Sequence, residues 1–102
     1  MQFETSLSSG GKTASGVVSD KPCFLVGAMV DGAGGAAPTL ILYDNATAAS
    51  GKIVYKYVGI PGSTPVTSYA ARDWQRPVEC VNGLYATVSG ANATYIVEYM
   101  RK

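Results

Sequence analysis

The acidic side chains are the residues of this sequence best suited to catalysis, but their spacing argues against it. They are Glu4, Asp20, Asp31, Asp44, Asp73, Glu79 and Glu98. A glycosidase needs two carboxylates facing each other across a cleft, and only Asp73 and Glu79 are near enough along the chain to suggest such a pair. The sequence also contains no His, so the commonest general base is missing. We therefore predict that the protein is not an enzyme.

The sequence offers no group of residues suited to a metal or a cofactor. There are two cysteines, Cys23 and Cys80, far apart in sequence and without His, whereas zinc sites combine closely spaced Cys and His. Residues 31–35 are glycine-rich like a phosphate loop, but no helix and no Lys-Ser/Thr pair follows them. We expect the two cysteines to be small buried apolar residues. A disulfide between them is the alternative, which a reducing compartment disfavours.

Composition favours one compact domain that contacts other protein subunits. The chain has 102 residues, of which 47% are hydrophobic and only 15% charged, against about 25% charged in a typical domain. The formal net charge is +1 and the eight basic residues are scattered, so we expect no nucleic-acid partner. A surface so poor in charge indicates permanent contact with other subunits. A neutral soluble monomer is the alternative.

The chain lacks the patterns that direct a protein to or through a membrane. Residues 1–4 carry no basic segment, and no apolar stretch typical of a signal peptide follows. The longest apolar runs, at residues 23–30 and 40–43, are far shorter than the roughly 20 residues of a membrane span. We therefore expect synthesis and folding in a cytoplasm, with no membrane partner.

Short apolar or alternating runs separated by turn residues predict an all-β fold. The predicted strands are residues 17–18, 23–30, 39–43, 52–58, 66–74, 78–81, 84–89 and 94–100. Residues 46–51 are predicted to be a loop, since they have no apolar helical face. This pattern predicts an antiparallel β-sandwich, jelly-roll-like, of seven to eight short strands within residues 17–102. Residues 1–16 are predicted to form an extended N-terminal arm, either disordered or paired with a neighbour's strand edge.

Turn residues also predict which strands pair. Asn82-Gly83 lies between two runs, which is the strongest short-range signal for a β-hairpin. We therefore expect residues 78–81 to pair with 84–89. Arg76-Pro77 is expected to end the preceding strand, because proline lacks the N–H that a sheet needs.

Alternation within the strands predicts the core. Tyr55 and Tyr57 share one face with Ile53, while Tyr95 and Tyr99 share the inward face of the last strand. We expect these four tyrosines to pack in the core. Residues 23–30 form an unbroken apolar run, which favours a strand buried on both faces.

A second group of large side chains is predicted to form a contact surface. It comprises two apolar side chains of the N-terminal arm, together with aromatic and basic side chains in or just after the weakest predicted strand, residues 66–74. These residues are Phe3, Leu7, Tyr69, Arg72, Trp74 and Arg76. Aromatic and arginine side chains are enriched in protein interfaces. The alternative is a sugar-stacking platform formed by Tyr69 and Trp74.

Two segments resemble those of small structural proteins of tailed bacteriophages. LILYDNATAASGK at residues 40–52 is similar to a strand, turn and strand segment of these proteins, and NGLYATVSGANATYIVEY at residues 82–99 is similar to their closing hairpin. Residues 21–23 and 69–76 do not follow the pattern. The similarity covers residues 16–101 and rests on turns and strands, not on chemical groups.

The resemblance implies a component of the virion with a β-sandwich fold, made in the host cytoplasm. The favoured function is a capsid decoration, or cement, protein that binds and stabilises the assembled head. Its partners would be the major capsid protein or other virion proteins, together with copies of itself in a closed homo-oligomer, with a trimer favoured. The alternatives are a tail, adaptor or fibre-base subunit, and a host-glycan-binding module of a fibre or spike.

Overall fold

The computed structural model describes residues 7–32, 37–59, 68–90 and 93–102, with the backbone alone for residues 68–75. These residues form eight β-strands and no helix. The strands are β1 (Leu7–Ser8), β2 (Gly16–Ser19), β3 (Cys23–Gly32), β4 (Thr39–Tyr43), β5 (Ile53–Val58), β6 (Ser68–Cys80), β7 (Leu84–Ser89) and β8 (Ala93–Arg101). The predicted all-β fold is confirmed.

The strands form two antiparallel four-stranded sheets. Sheet A has the order β1-β8-β3-β6 and sheet B the order β2-β7-β4-β5. The pairs β1–β8, β2–β7, β3–β6 and β4–β5 are therefore nested, as if one long hairpin had been rolled into two layers. This is the jelly-roll arrangement, as the sequence predicts. The chain changes sheet at every connection between described strands except the one between β4 and β5.

The predicted hairpin at Asn82-Gly83 is wrong, because this turn joins the two sheets. β6 lies in sheet A and β7 in sheet B. Gly83 has a φ of 154°, and a Cβ there would come within 2.6 Å of the Ser19 carbonyl oxygen. Glycine is thus required by close packing at the crossing. The closing hairpin of β7 and β8 is wrong for the same reason, since β8 lies in sheet A.

The predicted break at Arg76-Pro77 is also wrong, because β6 runs through both residues. β6 is an edge strand, where proline is tolerated because one side of the strand needs no hydrogen bonds. The irregularity takes another form: residues 74–77 lie opposite Val26 alone in the register of β3 and β6. The proline therefore lies in a bulge within one long strand.

The core lies between the sheets and contains the side chains expected there. Its fully buried members include Leu25, Leu40, Leu42, Leu84, Val30 and Val97. Tyr95 is buried with them, and Tyr55, Tyr57 and Tyr99 pack against them. The predicted inward face of β8 and the core positions of the four tyrosines are confirmed.

Two predictions about faces need correction. β3 is fully buried only on its inner face, since Phe24 and Met29 on its outer face are half-buried. Ile53 does not share a face with Tyr55, because the register shifts between them: Tyr43 pairs with Ile53 but Leu42 pairs with Tyr55. The shift turns Ile53 to the outer face of sheet B.

The described part of the predicted arm pairs with β8 of its own chain. Leu7 lies opposite Tyr99, and the backbone groups of Lys12 and Tyr95 exchange two hydrogen bonds. The Tyr95 hydroxyl donates a hydrogen bond to the Ala14 carbonyl at 2.8 Å. The segment then crosses to sheet B, where β2 pairs with β7. Residues 7–19 therefore connect an edge of sheet A to an edge of sheet B.

Candidate interaction surface

The structure separates Leu7 from the other described residues of the predicted contact surface. Phe3 lies outside the described residues, and Leu7 lies in β1. The other four lie along β6, with Arg76 exposed in the bulge: Tyr69, Arg72, Trp74 and Arg76. β1 and β6 are opposite edges of sheet A, about 14 Å apart at the usual strand spacing. The β6 residues share one strand, but Leu7 does not join them, and their role in contacts stays a prediction.

The buried acid Asp44 is explained by the fold. Its side chain accepts hydrogen bonds from the backbone N–H of Asn82 at 2.8 Å and of Val81 at 3.1 Å. These two groups belong to the turn that carries the chain from sheet A to sheet B. Because a carboxylate needs such partners when it leaves water, Asp44 acts as an anchor for the crossing.

Asn45 organises the loop between β4 and β5. Its side-chain oxygen accepts hydrogen bonds from the N–H groups of Thr47 and Ala48, and its amide nitrogen donates to the Ser50 carbonyl. This is an Asx-type turn, which offers the backbone an alternative to a helix. The predicted loop at residues 46–51 is confirmed, and the residues that carry the sequence resemblance here are turn-forming ones.

The described residues provide neither a metal-binding cluster nor a membrane-spanning helix. No group of three or more His, Cys, Asp or Glu side chains is placed to hold a metal ion there. The described ranges also contain no helix long and apolar enough to cross a membrane.

Apolar and aromatic side chains line the outer face of sheet B. Val17 pairs with Tyr85, Tyr85 with Tyr43, and Tyr43 with Ile53, so one row crosses all four strands. Ile41 and Val58 lie on the same outer face. We define the sheet-B face as these six residues: Val17, Ile41, Tyr43, Ile53, Val58 and Tyr85. Three of them are unusually exposed for large apolar residues, at 49% for Val17, 47% for Ile53 and 58% for Val58.

Strand alternation explains why these residues point outward. Leu40 and Leu42 of β4 are fully buried, so Ile41 and Tyr43 between and beside them face away from the core. In β7 the buried Leu84 likewise turns Tyr85 outward. Outward positions of such a sheet are usually polar, and Lys56 and Thr87 on either side of Ile41 follow that rule. The row from Val17 to Ile53 departs from it, and exposed groups of apolar side chains are typical of contact surfaces.

The sheet-B face is smaller than a standard protein interface. Four strands spaced by about 4.8 Å and five residues of about 3.4 Å each define a footprint on the order of 300 Å². A stable protein complex buries about 800 Å² on each partner. One such contact is therefore weak, and the face suits association through several repeated contacts.

Part of this face is predictable from the sequence. Tyr43 and Tyr85 each follow a leucine within a predicted strand, so alternation alone places them opposite the core. The sequence predicts Ile53 on the face of Tyr55, because the register shift at Val54 has no sequence signature.

Comparisons with known proteins leave the chain without an assigned family. No family model, no curated protein and no solved structure matches it. What is established is the class: a small antiparallel β-sandwich with jelly-roll strand order.

Proposed function

We propose that the protein is a structural protein that assembles with further copies of itself through the sheet-B face. The observation that supports this most strongly is the row formed by Val17, Tyr85, Tyr43 and Ile53 on an outer sheet surface. Tyrosine suits such a place, because its ring packs against apolar groups while its hydroxyl stays hydrated or hydrogen-bonded. The low charge of the chain, 15%, fits the same role.

An energy estimate favours repeated contacts over a single tight one. Burying about 300 Å² on each of two copies, somewhat over half of it apolar, contributes on the order of 8 kcal/mol at about 25 cal/mol per Å². The loss of translational and rotational freedom costs about 4–15 kcal/mol. The two terms nearly cancel, so a closed ring or a lattice is needed to make the contact strong.

We further propose that this assembly belongs to the virion of a tailed bacteriophage and that the protein decorates the capsid. The sequence resemblance at residues 40–52 supports this placement, with the major capsid protein as the partner. The resemblance at residues 82–99 adds no support, because β7 and β8 do not form the hairpin that it implies. A decoration protein stabilises the assembled head by binding it and not the disassembled subunits. Jelly-roll sandwiches occur in viral capsid proteins and in lectins, so the fold is compatible with the role by analogy only. A tail, adaptor or fibre-base position is the alternative.

Glycan binding is a second candidate, and one observation favours it. Tyr43 and Tyr85 are direct neighbours on β4 and β7 with both side chains on the sheet-B face, which is the arrangement of a stacking platform for a sugar ring. The predicted platform at Tyr69 and Trp74 lies where the structure describes only the backbone. Chemical-shift changes at Tyr43 and Tyr85 during titration with host glycans would support this candidate over self-association.

Sedimentation velocity of two lysine variants tests the assembly proposal. Val58→Lys places a charge on the sheet-B face, so it should shift the wild-type oligomer toward monomer. Val81→Lys is the matched control, because Val81 is 57% exposed against 58% for Val58 but lies in the turn after β6. Wild-type protein that is monomeric at all concentrations, or equal effects of both variants, would overturn the proposal.

Quantitative mass spectrometry of purified phage particles tests the virion placement. A decoration protein should be present in numbers proportional to the major capsid protein. A tail or adaptor subunit should be present at the much lower number of a single ring. Particles without the chain would refute the placement while leaving the self-association result intact.

A further inference from the structure

We propose that Cys23 and Cys80 are an oxidation site that forms a reversible disulfide and fastens edge strand β6 to β3. This inference does not rest on the proposed function. It follows from the register of sheet A and from the burial of both side chains.

The backbone already has the geometry of a cross-strand disulfide. Cys23 and Cys80 are direct partners in the antiparallel pairing of β3 and β6. Opposed residues in such a pair have Cα atoms about 4.5–5.5 Å apart, which lies within the 4.4–6.8 Å range of disulfides. Both are free cysteines and fully buried. Bond formation therefore requires the sulfurs to turn toward each other without movement of either strand.

Either thiol can begin the reaction. The Cys80 thiol donates a long hydrogen bond of 3.8 Å to the Val78 carbonyl, and interaction with the Cys80 side chain lowers the pKa of Cys23. The thiolate is the nucleophile, and the geometry of the pair allows either cysteine to supply it.

Access to the pair is through the turns that flank it. Cys23 is the first residue of β3, next to the exposed residues 20–22, and Cys80 is the last residue of β6, next to the exposed Val81 and Asn82. Turns at strand ends open locally at much lower free energy than the whole fold. A small disulfide in solution can therefore reach Cys23 during such an opening.

The reaction is balanced with glutathione disulfide as the oxidant. The thiolate of one cysteine attacks one sulfur of glutathione disulfide and releases one glutathione thiolate, which leaves a mixed disulfide on that cysteine. The thiol of the other cysteine loses its proton, attacks the sulfur of the first cysteine and releases the second glutathione. The protein is oxidised by two electrons, and one glutathione disulfide is reduced to two glutathione molecules.

The bond would restrain a part of sheet A that lacks neighbours. β6 pairs with β3 alone among the described strands, and its register is interrupted at residues 74–77. Cys80 lies beyond this bulge. A disulfide closes the long loop between residues 23 and 80. Closing a long loop lowers the conformational entropy of the unfolded chain more than closing a short one. The oxidised protein should melt roughly 10 °C above the reduced protein.

Incubation of the folded wild-type protein with glutathione disulfide tests the proposal. After trapping with a maleimide, intact mass should show the loss of two hydrogens with no added maleimide, and peptide mapping should join Cys23 to Cys80. Oxidation only in denaturant, or disulfide-linked dimers in place of the internal bond, would overturn it.

Two alanine variants test whether both cysteines are needed. Cys80→Ala and Cys23→Ala each retain one thiol, so each should stop at the mixed disulfide with one glutathione per chain. Circular dichroism establishes that both variants are folded. A folded variant that takes up no glutathione would refute access to the remaining thiol, and the wild-type mapping remains decisive if either variant fails to fold.

Discussion

The outer faces of sheets A and B both carry apolar residues, but in different settings. On sheet A, Phe24, Met29, Ile96 and Met100 are half-buried within the single chain. The Lys102 ammonium lies 5.6 Å from the centre of the Phe24 ring and pairs with Glu79. On sheet B, Val17, Ile53 and Val58 are about half exposed. These three sheet-B side chains are the more exposed ones, although Ile41, Tyr43 and Tyr85 beside them are half-buried like the sheet-A residues.

This difference separates two uses of apolar surface. Side chains that the chain itself covers contribute to the free energy of unfolding, because that cover is lost when the protein unfolds. Exposed side chains contribute little to the free energy of unfolding. Their burial becomes favourable only when another molecule removes them from water. Variants on sheet A should therefore change stability, and variants on sheet B should change association.

The largest effect is expected where the two sheets are joined. Asp44→Ala leaves the N–H groups of Val81 and Asn82 without their acceptor and should lower the free energy of unfolding by about 3 kcal/mol. Urea denaturation measures the change. Asp20→Ala is the control, because Asp20 is exposed. A loss no larger than that of the control would contradict the anchoring role.

The next effect tests the sheet-A side of the comparison. Phe24→Ala should cost about 2 kcal/mol in unfolding free energy, because complete truncation of a buried phenylalanine costs about 3–5 kcal/mol and this ring is half-buried. The oligomeric state should be unchanged. Urea denaturation and sedimentation velocity measure the two quantities. A variant with normal stability and altered association would reverse the assignment of the two faces.

A smaller effect tests the sheet-B side. Ile53→Ser should weaken self-association about tenfold, which corresponds to about 1.4 kcal/mol, and change unfolding within about 0.5 kcal/mol. A sedimentation series over protein concentration measures the first and urea denaturation the second. Ile53→Val keeps an apolar group and should restore most of the association. Serine and valine variants that associate equally would exclude Ile53 from the contact.

The smallest effect concerns the charge above sheet A. Lys102→Ala should lower the free energy of unfolding by about 0.5 kcal/mol, since ion pairs with exposed partners contribute little. The side chains of Lys102 and Glu79 retain 32% and 55% of their exposure. The loss of unfolding free energy in this variant should shrink in high salt, because salt screens exposed charges. A loss that is the same at high salt would indicate that Lys102 stabilises the fold by packing on the Phe24 ring.

Local sequence patterns predicted the strands better than their partners. β4 was predicted within its observed bounds because Leu40 and Leu42 alternate with outward residues between turn signals. Asn82-Gly83 failed as a hairpin signal because Cys80 pairs with Cys23, a partner distant in sequence. A two-residue turn allows either a hairpin or a crossing between layers, and long-range packing decides between them. The one pairing of adjacent described strands, β4 with β5, has a longer loop.

The sheet-B face was harder to predict than the fold. Tyr69 and Trp74 stand out in the sequence because basic and polar residues flank them, whereas Tyr43 and Tyr85 have the pattern of ordinary strand residues. Whether an outward tyrosine stands alone or in a row depends on register across four strands, which one sequence does not reveal. Ile53 joins the row only because of the register shift at Val54.

The pairing of Leu7 with Tyr99 has a consequence for how the protein is made. Sheet A joins the first described strand to the last, so its outer strand pair cannot form until the ribosome has added β8. Partners so distant in sequence also make the search for the native state slow. Newly made chains therefore spend time with open strand edges, and a chaperone that shields those edges during synthesis should raise the yield of folded protein.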